Sequence, residues 1–310
     1  MSSHSSLTDF DGTVLVTGAN GLIGRRVCRT LSDRGVSVRA MVRRPGTAPD
    51  GVGITEHVGD FTVADDAATA VEGVDALVTT AYPLTSGDRD EQRRVSVEGT
   101  EVIARAAAEA GVPTHVHVST AAVYDRSPGA GDVAEDSPLV GDDAGDYPVL
   151  KRETDAMIAA IDGPTRVLVR PPAVLGPGET SVWNTVRPQA MREDVAERTD
   201  HPDRSFAWIH VDDLAALIAD VAIGEIARSD DPARGPVPGA CTPVNAAGEP
   251  ATARDYVSAV CDALGVEPVW RSEGPVWRGR IVADRAHAWG WRPQVRLEDA
   301  LEELAAGLRG

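Results

Sequence analysis

The sequence predicts an α/β fold built on a doubly wound parallel sheet. In the first half of the chain, short runs of β-branched residues alternate with longer stretches of helical periodicity. The predicted strands are residues 13–16, 36–42, 54–59, 76–79, 114–119 and 166–170, and the predicted helices are residues 22–33, 65–71, 89–110 and 149–161. Strands that alternate with helices in this way pair in parallel, and the helices then cover both faces of the sheet.

Beyond Arg170 the alternation becomes irregular, which predicts a smaller region that caps the substrate. Two Pro- and Gly-rich segments, 171–178 and 230–243, lie on either side of a predicted strand at 206–210 and a helix at 212–224. A helix capped by Thr252 and ended by Gly265 follows, and residues 297–308 form a closing helix.

These patterns predict three parts of the chain. Residues 1–11 form a disordered tail, and residues 12–170 form a nucleotide-binding domain. Residues 171–310 form the substrate-binding region, in which a stretch from about 206 to 224 is interleaved with the first domain.

Composition narrows the class of protein and its partners. A net charge of −18 argues against a nucleic acid or an anionic membrane as the partner. The three cysteines lie far apart without metal-ligand spacing, so we expect reduced thiols in a cytoplasmic protein and no metal site. The polar start of the chain is not typical of a signal peptide, and the longest apolar stretch, 214–223, contains Asp220 and is too short to span a bilayer.

A glycine-rich loop follows the first predicted strand and leads into the first predicted helix. Glycines permit a tight turn that brings backbone close to a pyrophosphate, and the helix N-terminus adds N–H groups and a positive dipole end. The loop predicts dinucleotide contacts from Gly18, Asn20, Gly21, Leu22, Ile23 and Gly24. At this position in an alternating α/β chain, the loop indicates a Rossmann sheet.

The end of the second predicted strand indicates which dinucleotide is preferred. NAD enzymes usually carry an acidic residue there for the ribose 2′-hydroxyl, whereas this chain has Val42. Arg43 follows and can make a bidentate contact with a 2′-phosphate. The sequence therefore predicts NADP(H) as the preferred cofactor, with NAD(H) as the alternative.

A candidate catalytic pair lies in the fourth long helix. Tyr147 and Lys151 form a Tyr-x-x-x-Lys pattern, and Lys151 is the single lysine beside 29 arginines. Residues i and i+4 share a helix face, so the ammonium can lie beside the phenol. An adjacent cation favours the phenolate and lowers the phenol pKa, which suits Tyr147 to acid–base work. Ser119 and Thr120 end the fifth strand, where sheets of this type place ligand-contacting residues.

Taken together, these motifs resemble the extended branch of the short-chain dehydrogenase/reductase superfamily over nearly the whole chain. The resemblance includes the Gly-x-x-Gly-x-x-Gly spacing of the loop, the Ser-Thr-x-x-Val-Tyr element at 119–124 and the Arg-Pro-x-x-Val-x-Gly-Pro-Gly pattern at 170–178. It implies that Thr120 polarises the substrate carbonyl and that Lys151 also holds the nicotinamide ribose. The further cofactor contacts that it implies are Asp60, Phe61, Thr80, Ala81, Tyr82, Pro171 and Val174. It also implies a homodimer formed through helices 89–110 and 149–161.

Departures from the family pattern narrow the range of reactions and substrates that the sequence predicts. Ala121 and Ala122 stand where sugar-nucleotide dehydratases carry Asp-Glu, which argues against dehydration. Ala173 stands where sugar-nucleotide epimerases carry an Asn that contacts the substrate phosphate, which weakens a nucleotide-sugar substrate.

Three functions follow as hypotheses. The first is an NADP(H)-dependent carbonyl reductase, or alcohol dehydrogenase in reverse, for a small organic substrate. The second is an epimerase with tightly held NAD(P) and no net redox change. The third is an NADP-sensing regulator, although regulators of this fold commonly lose the Tyr or the Lys that this chain keeps.

Overall fold

The computed structural model describes residues 10–83 and 88–309, so the predicted tail lies outside the described residues apart from its last two. In the first half, the elements are β1 (Thr13–Thr17), α1 (Leu22–Asp33), β2 (Ser37–Val42), β3 (Ile54–Val58), α2 (Ala64–Ala70), β4 (Ala76–Thr79), α3 (Arg89–Arg93), α4 (Thr100–Glu109), β5 (Thr114–Val118), α5 (Asp146–Ala159) and β6 (Thr165–Arg170). A π-helical segment, Arg94–Gly99, joins α3 to α4 into one helical stretch. Every strand and helix predicted for this half is therefore confirmed.

The second half contains shorter elements. They are β7 (Ala173–Leu175), a π-helix (Val182–Val186), α6 (Arg187–Glu193), β8 (Thr199–Asp200), β9 (Trp208–His210), α7 (Val211–Ala222), β10 (Cys241–Asn245), α8 (Ala253–Leu264), β11 (Val269–Trp270), α9 (Asp284–Ala288) and α10 (Leu297–Arg309). Thr252 caps α8 through a capping box, and Gly265 ends it with a φ of +69°.

A seven-stranded sheet forms the centre of the molecule, in the order β10-β6-β5-β4-β1-β2-β3, and all its neighbouring strands are parallel. This confirms the doubly wound Rossmann architecture. The central strand β1 is buried on both faces, and Val14, Leu15 and Val16 have no exposed surface. The order reverses between β1 and β4, which creates the switch point where such sheets bind ligands.

The sheet takes its seventh strand from the part of the chain beyond Arg170. β10 lies in and after a segment that the sequence predicted to be irregular, and it pairs with β6 at the sheet edge. Pro243 has no N–H to donate, and an edge strand tolerates this because one side of its backbone has no strand neighbour. From the same region, α7 packs against α1. The central layers therefore draw on both of the regions that the sequence distinguished.

The capping region is fixed by an aromatic cluster. Phe206 stacks on Tyr256 with ring centroids 4.5 Å apart, and Trp183 meets both rings edge-on. The Tyr256 hydroxyl also donates a hydrogen bond to the Trp183 carbonyl at 2.6 Å. These contacts hold the π-helix Val182–Val186 in place above the sheet.

The apolar face of the helical stretch from α3 to α4 is covered within the chain. Val95, Ile103 and Ala107 are buried in one cluster with Leu77 of the sheet and Phe61. The homodimer stays a prediction, and its contact would need the outer faces of these helices. We expect light scattering at micromolar concentration to give the mass of two chains, and a monomeric mass would contradict the prediction.

Candidate active site

A large cavity opens at the carboxyl ends of β1 and β4, at the switch point of the sheet. Its volume is about 1210 Å³, above the roughly 300–1,000 Å³ of most small-ligand pockets. The loops that follow β1 to β6 line it, together with the start of α5 and the π-helix Val182–Val186. The cavity therefore has room for a cofactor beside a substrate.

The fold brings nearly all of the predicted site residues to this cavity. Those that line it are Gly18, Asn20, Gly21, Leu22, Ile23, Gly24, Arg43, Asp60, Phe61, Thr80, Ala81, Tyr82, Thr120, Tyr147, Lys151 and Val174. Pro171 differs: it is buried outside the lining, and its carbonyl accepts a hydrogen bond from the Ala121 N–H at 2.8 Å. The segment after β6 thus faces the cavity through Pro172, Ala173 and Val174, while Pro171 supports the turn that follows Thr120.

The glycine loop has the shape of an anion cradle. Gly18 has a φ of +68°, and a Cβ at Gly24 would lie 2.2 Å from the Gly18 carbonyl oxygen. Only glycine therefore lets α1 begin this close to β1. The Thr80 hydroxyl donates to the Thr17 carbonyl at 2.9 Å and ties the loop to the end of β4. The first-turn N–H groups of α1 consequently border the cavity, where they suit a pyrophosphate.

Two arginines border the cavity at the end of β2. Arg43 and Arg44 are exposed, and within the described residues neither forms an ion pair. At the end of β3, the Asp60 carboxylate accepts a hydrogen bond from the Thr62 N–H at 3.0 Å, and Phe61 is almost fully buried. This end of the cavity thus offers guanidinium groups to an anion and a fixed carboxylate beside them.

The three candidate catalytic residues converge from β5 and α5. Thr120 and Tyr147 line the same cavity, and the Thr120 hydroxyl lowers the pKa of the Tyr147 phenol. One turn along α5, Lys151 is 4% exposed, and its Nζ donates to the Val118 carbonyl at 2.9 Å. The Tyr82 ring packs edge-on against Tyr147 at 5.0 Å between centroids, and its centroid lies 5.5 Å from Lys151 Nζ. A hydroxyl, a phenol and an ammonium therefore share one end of the cavity.

Desolvation is the largest effect on the pKa values of this group. It raises the pKa of Tyr147 above its ordinary value of 10, and the Thr120 hydroxyl and the charge of Arg126 oppose the rise. Burial also lowers the pKa of Lys151 to about 8, against the pull of Asp155. The Lys151 ammonium donates to a strand carbonyl, and the lowering of the phenol pKa by the lysine together with an oxidised nicotinamide stays a prediction.

Tyr124, the other tyrosine near the motif, has a structural role. It is 1% exposed, accepts a hydrogen bond from Arg170 at 2.9 Å and donates one to Asn245 at 2.8 Å. Arg170 also pairs with Asp155, Nε to Oδ2 at 3.0 Å, with both side chains buried. This network joins β6, β10 and α5 behind the catalytic group.

Two candidate functional residues were not predicted from the sequence. Arg126 lines the cavity from the loop after β5, and Trp183 lines it from the π-helix. Arg126 is one of 29 arginines, so nothing in the sequence marked it out. Trp183 was visible only as one of several tryptophans in the capping region, because its position depends on contacts with residues far along the chain.

Two histidines, His115 and His117, lie on strand β5 of the sheet. His115 Nε2 and His117 Nδ1 both contact the Thr79 hydroxyl, at 2.9 and 2.8 Å, and burial lowers the pKa of both rings. Within residues 10–83 and 88–309, no three His, Cys, Asp or Glu side chains are grouped to hold a metal ion. Across those same ranges, no helix combines the length and apolar character needed to cross a bilayer.

Three curated relatives resemble this chain. It is 33% identical over 171 residues to sterol demethylase protein B of Methylococcus capsulatus, which covers 53% of the chain and 52% of that protein. It is 28% identical over 294 residues to the 3 beta-hydroxysteroid dehydrogenase/Delta 5-->4-isomerase of Mycobacterium tuberculosis, and this alignment covers 88% of the chain and 75% of that protein. It shares 30% identity over 213 residues with the ceramide reductase of Caulobacter vibrioides, and this alignment covers 68% of the chain and 61% of that protein. The chain thus spans about half the length of the first of these relatives.

A solved structure and a family model also match this chain. The Bordetella bronchiseptica enzyme WbmG, solved in complex with NAD, superposes with a TM-score of 0.72 at 22% identity, over 96% of this chain and 94% of that one. Residues 14–226 match the family model described as the NAD dependent epimerase/dehydratase family. That match covers more than half of the sequence. The chain therefore belongs to this family, within the extended short-chain dehydrogenase/reductase superfamily.

Proposed function

We propose that the protein is an NADP(H)-dependent carbonyl reductase that acts on a small organic substrate. In the reverse direction the same reaction is that of an alcohol dehydrogenase. The observation that carries the proposal is that Thr120, Tyr147 and Lys151 line one cavity, with Lys151 one turn along α5 from Tyr147. Relatives described as a dehydrogenase and a reductase support a net redox reaction.

We propose that a dinucleotide binds along this cavity, whose volume is about 1210 Å³. The cradle at Gly18 and Gly24, which any Cβ would fill, would take the pyrophosphate, and Asp60 would lie near the adenine. Lys151 would hold the ribose next to the nicotinamide, at the end of the cavity where Tyr147 lies. When bound, the nicotinamide supplies the hydride that no protein side chain can provide.

The side chains of this group handle the proton. Thr120 donates a hydrogen bond to the substrate carbonyl and draws electron density towards its oxygen. Tyr147 gives its phenolic proton to that oxygen as the alcohol forms. The resulting phenolate is stabilised by the positive charge of Arg126, which favours the charged form of the phenol. We propose that Lys151, one turn along α5, also favours this phenolate when the cofactor is bound.

Epimerisation and cofactor sensing are the competing functions. Beside the catalytic hydroxyl, Ala122 and Ala173 line the cavity, so neither position offers an acid or an amide to a sugar nucleotide. A substrate screen with NADPH separates the functions. A reductase oxidises NADPH in proportion to product, an epimerase converts substrate with no net change in absorbance at 340 nm, and a sensor converts nothing.

We expect NADP(H) to bind at least about tenfold tighter than NAD(H), a difference of roughly 1.4 kcal/mol. Val42 offers no carboxylate to a ribose hydroxyl, whereas Arg43 and Arg44 offer two guanidinium groups to a 2′-phosphate. Calorimetric titration of both cofactors checks this, and Arg43→Ala should reduce the discrimination. Arg192→Ala, at an exposed position on α6 outside the cavity lining, is the matched control. Equal affinities for the two cofactors would contradict the preference.

A further inference from the structure

Arg126 is a cation at the catalytic end of the cavity. The residue lines the cavity with Thr120 and Tyr147, and its charge acts on the Tyr147 phenol. Arg126 is exposed, and within residues 10–83 and 88–309 its guanidinium forms no ion pair and no hydrogen bond. It lies over the face of the Trp277 ring, 5.7 Å from the centroid.

The position of Arg126 is fixed by its neighbours on both sides. The Asp125 N–H donates to the Pro138 carbonyl at 2.9 Å, and the Asp125 carboxylate accepts from the Ser127 N–H at 2.8 Å. Trp277 is nearly buried, and its indole N–H donates to the Gly131 carbonyl at 2.7 Å. The guanidinium therefore rests on an anchored aromatic surface and keeps its donors available to the cavity.

The other charges of the cavity already have partners or lie at its other end. Lys151 donates to the Val118 carbonyl, and Arg94 pairs with Glu91 at 2.9 Å. Asp146, the acid next to Tyr147, pairs with Arg89 at 3.2 Å. Arg43 and Arg44 lie at the end of β2, where the adenosine half of a dinucleotide would bind. A negative charge close to the reacting carbonyl would therefore meet Arg126.

An apolar surface borders the same cavity. Val182 and Val186 of the π-helix are 36% and 54% exposed, although valine is usually buried, and both line the cavity with Trp183. These side chains suit a hydrocarbon chain and offer nothing to a sugar ring. A cation and an apolar wall in one cavity match a ligand with one anionic end and one apolar end.

We propose that Arg126 binds a carboxylate of the substrate, so that the substrates are oxo acids that carry an apolar chain. A single planar guanidinium matches a carboxylate through two parallel hydrogen bonds, whereas a diphosphate would need further cations. The proposal rests on the proposed reductase function for the ketone part of the substrate. The recognition of the carboxylate itself is independent of turnover.

The test compares two ligands of equal length that cannot be reduced. Octanoate and octanamide are titrated by calorimetry into the NADP-loaded protein, as wild type, Arg126→Gln and the matched control Arg192→Gln. We expect the wild type and the control to bind octanoate about 10- to 100-fold tighter than octanamide, the gain of a charge-assisted pair. In Arg126→Gln the two affinities should become similar. Retention of the native circular dichroism and melting transition shows that this variant is folded.

A turnover experiment separates this proposal from the proposed function. NADPH oxidation is followed with 4-oxo-octanoate and with its methyl ester. Arg126→Gln should lower kcat/KM for the acid about 10- to 100-fold more than for the ester, because both substrates lose the effect of the charge on Tyr147 and only the acid loses the carboxylate pair. Octanoate that fails to bind, binds no tighter than octanamide, or binds Arg126→Gln as tightly as wild type overturns the carboxylate site, even if ketones are reduced. Loss of octanoate selectivity in Arg126→Gln with no reduction of any ketone upholds the site and overturns the reductase.

Discussion

Replacing Tyr147 by phenylalanine should lower kcat by about 10²- to 10⁴-fold and leave the affinity for NADPH nearly unchanged. The substitution removes the proton donor and keeps the ring that packs against Tyr82. Stopped-flow or steady-state measurement of NADPH oxidation gives the rate, and calorimetry gives the affinity. The large effect follows from position, because Tyr147 lines the cavity together with Thr120 and Lys151.

Companion variants separate the roles within this group. Lys151→Ala should weaken both the rate and the affinity for cofactor, since the ammonium serves the phenol and the ribose. Thr120→Val should mainly lower the rate, because it removes a polarising donor and keeps the shape. Tyr124→Phe is the matched control: it removes a buried hydroxyl that contacts Arg170 and Asn245, so stability should fall while the rate of the folded protein stays within a few-fold. Full activity in Tyr147→Phe would show that the catalytic assignment is wrong.

Replacing Asp155 by alanine should lower the free energy of unfolding by about 3–5 kcal/mol. The substitution leaves the Arg170 guanidinium buried without its carboxylate, and the two side chains are only 6% and 4% exposed. Water cannot reach Arg170 to compensate, so the desolvation of its charge is no longer offset. Urea unfolding followed by circular dichroism measures the change, and an unchanged slope would show that the denatured state is unaffected.

An exposed ion pair provides the comparison for Asp155. Glu101 and Arg105 are one turn apart on α4 and are 37% and 56% exposed. Glu101→Ala should change the free energy of unfolding by no more than about 0.5 kcal/mol, because solvent screens this pair. If Asp155→Ala costs as little as Glu101→Ala, the buried pair does not stabilise the junction of α5 with β6.

Local pattern was sufficient for strands β1 to β6 of the sheet and for most of the cofactor cavity. The alternation of strands and helices up to Arg170 was confirmed element by element, and the central strand β1 is apolar at Val14, Leu15 and Val16 because helices cover both faces of the sheet there. The glycine loop could also be predicted from the sequence, because the close approach of α1 to β1 excludes any Cβ at Gly24. In a parallel sheet the carboxyl ends of neighbouring strands meet at one edge, so residues from separate motifs gathered in one cavity.

Only the tertiary structure revealed the features that depend on contacts between residues far apart in the sequence. Strand β10 could not be predicted, because Pro243 and its Pro- and Gly-rich surroundings look irregular until β6 provides a sheet edge. The protonation of Lys151 and Tyr147 could not be predicted either, since it depends on burial and on the Val118 carbonyl that the ammonium contacts. Arg126 could not be distinguished among 29 arginines in the sequence, because only the fold places it over Trp277 and in the lining of the cavity. A sequence specifies which groups are present, but desolvation and pairing depend on which groups the folded chain brings together.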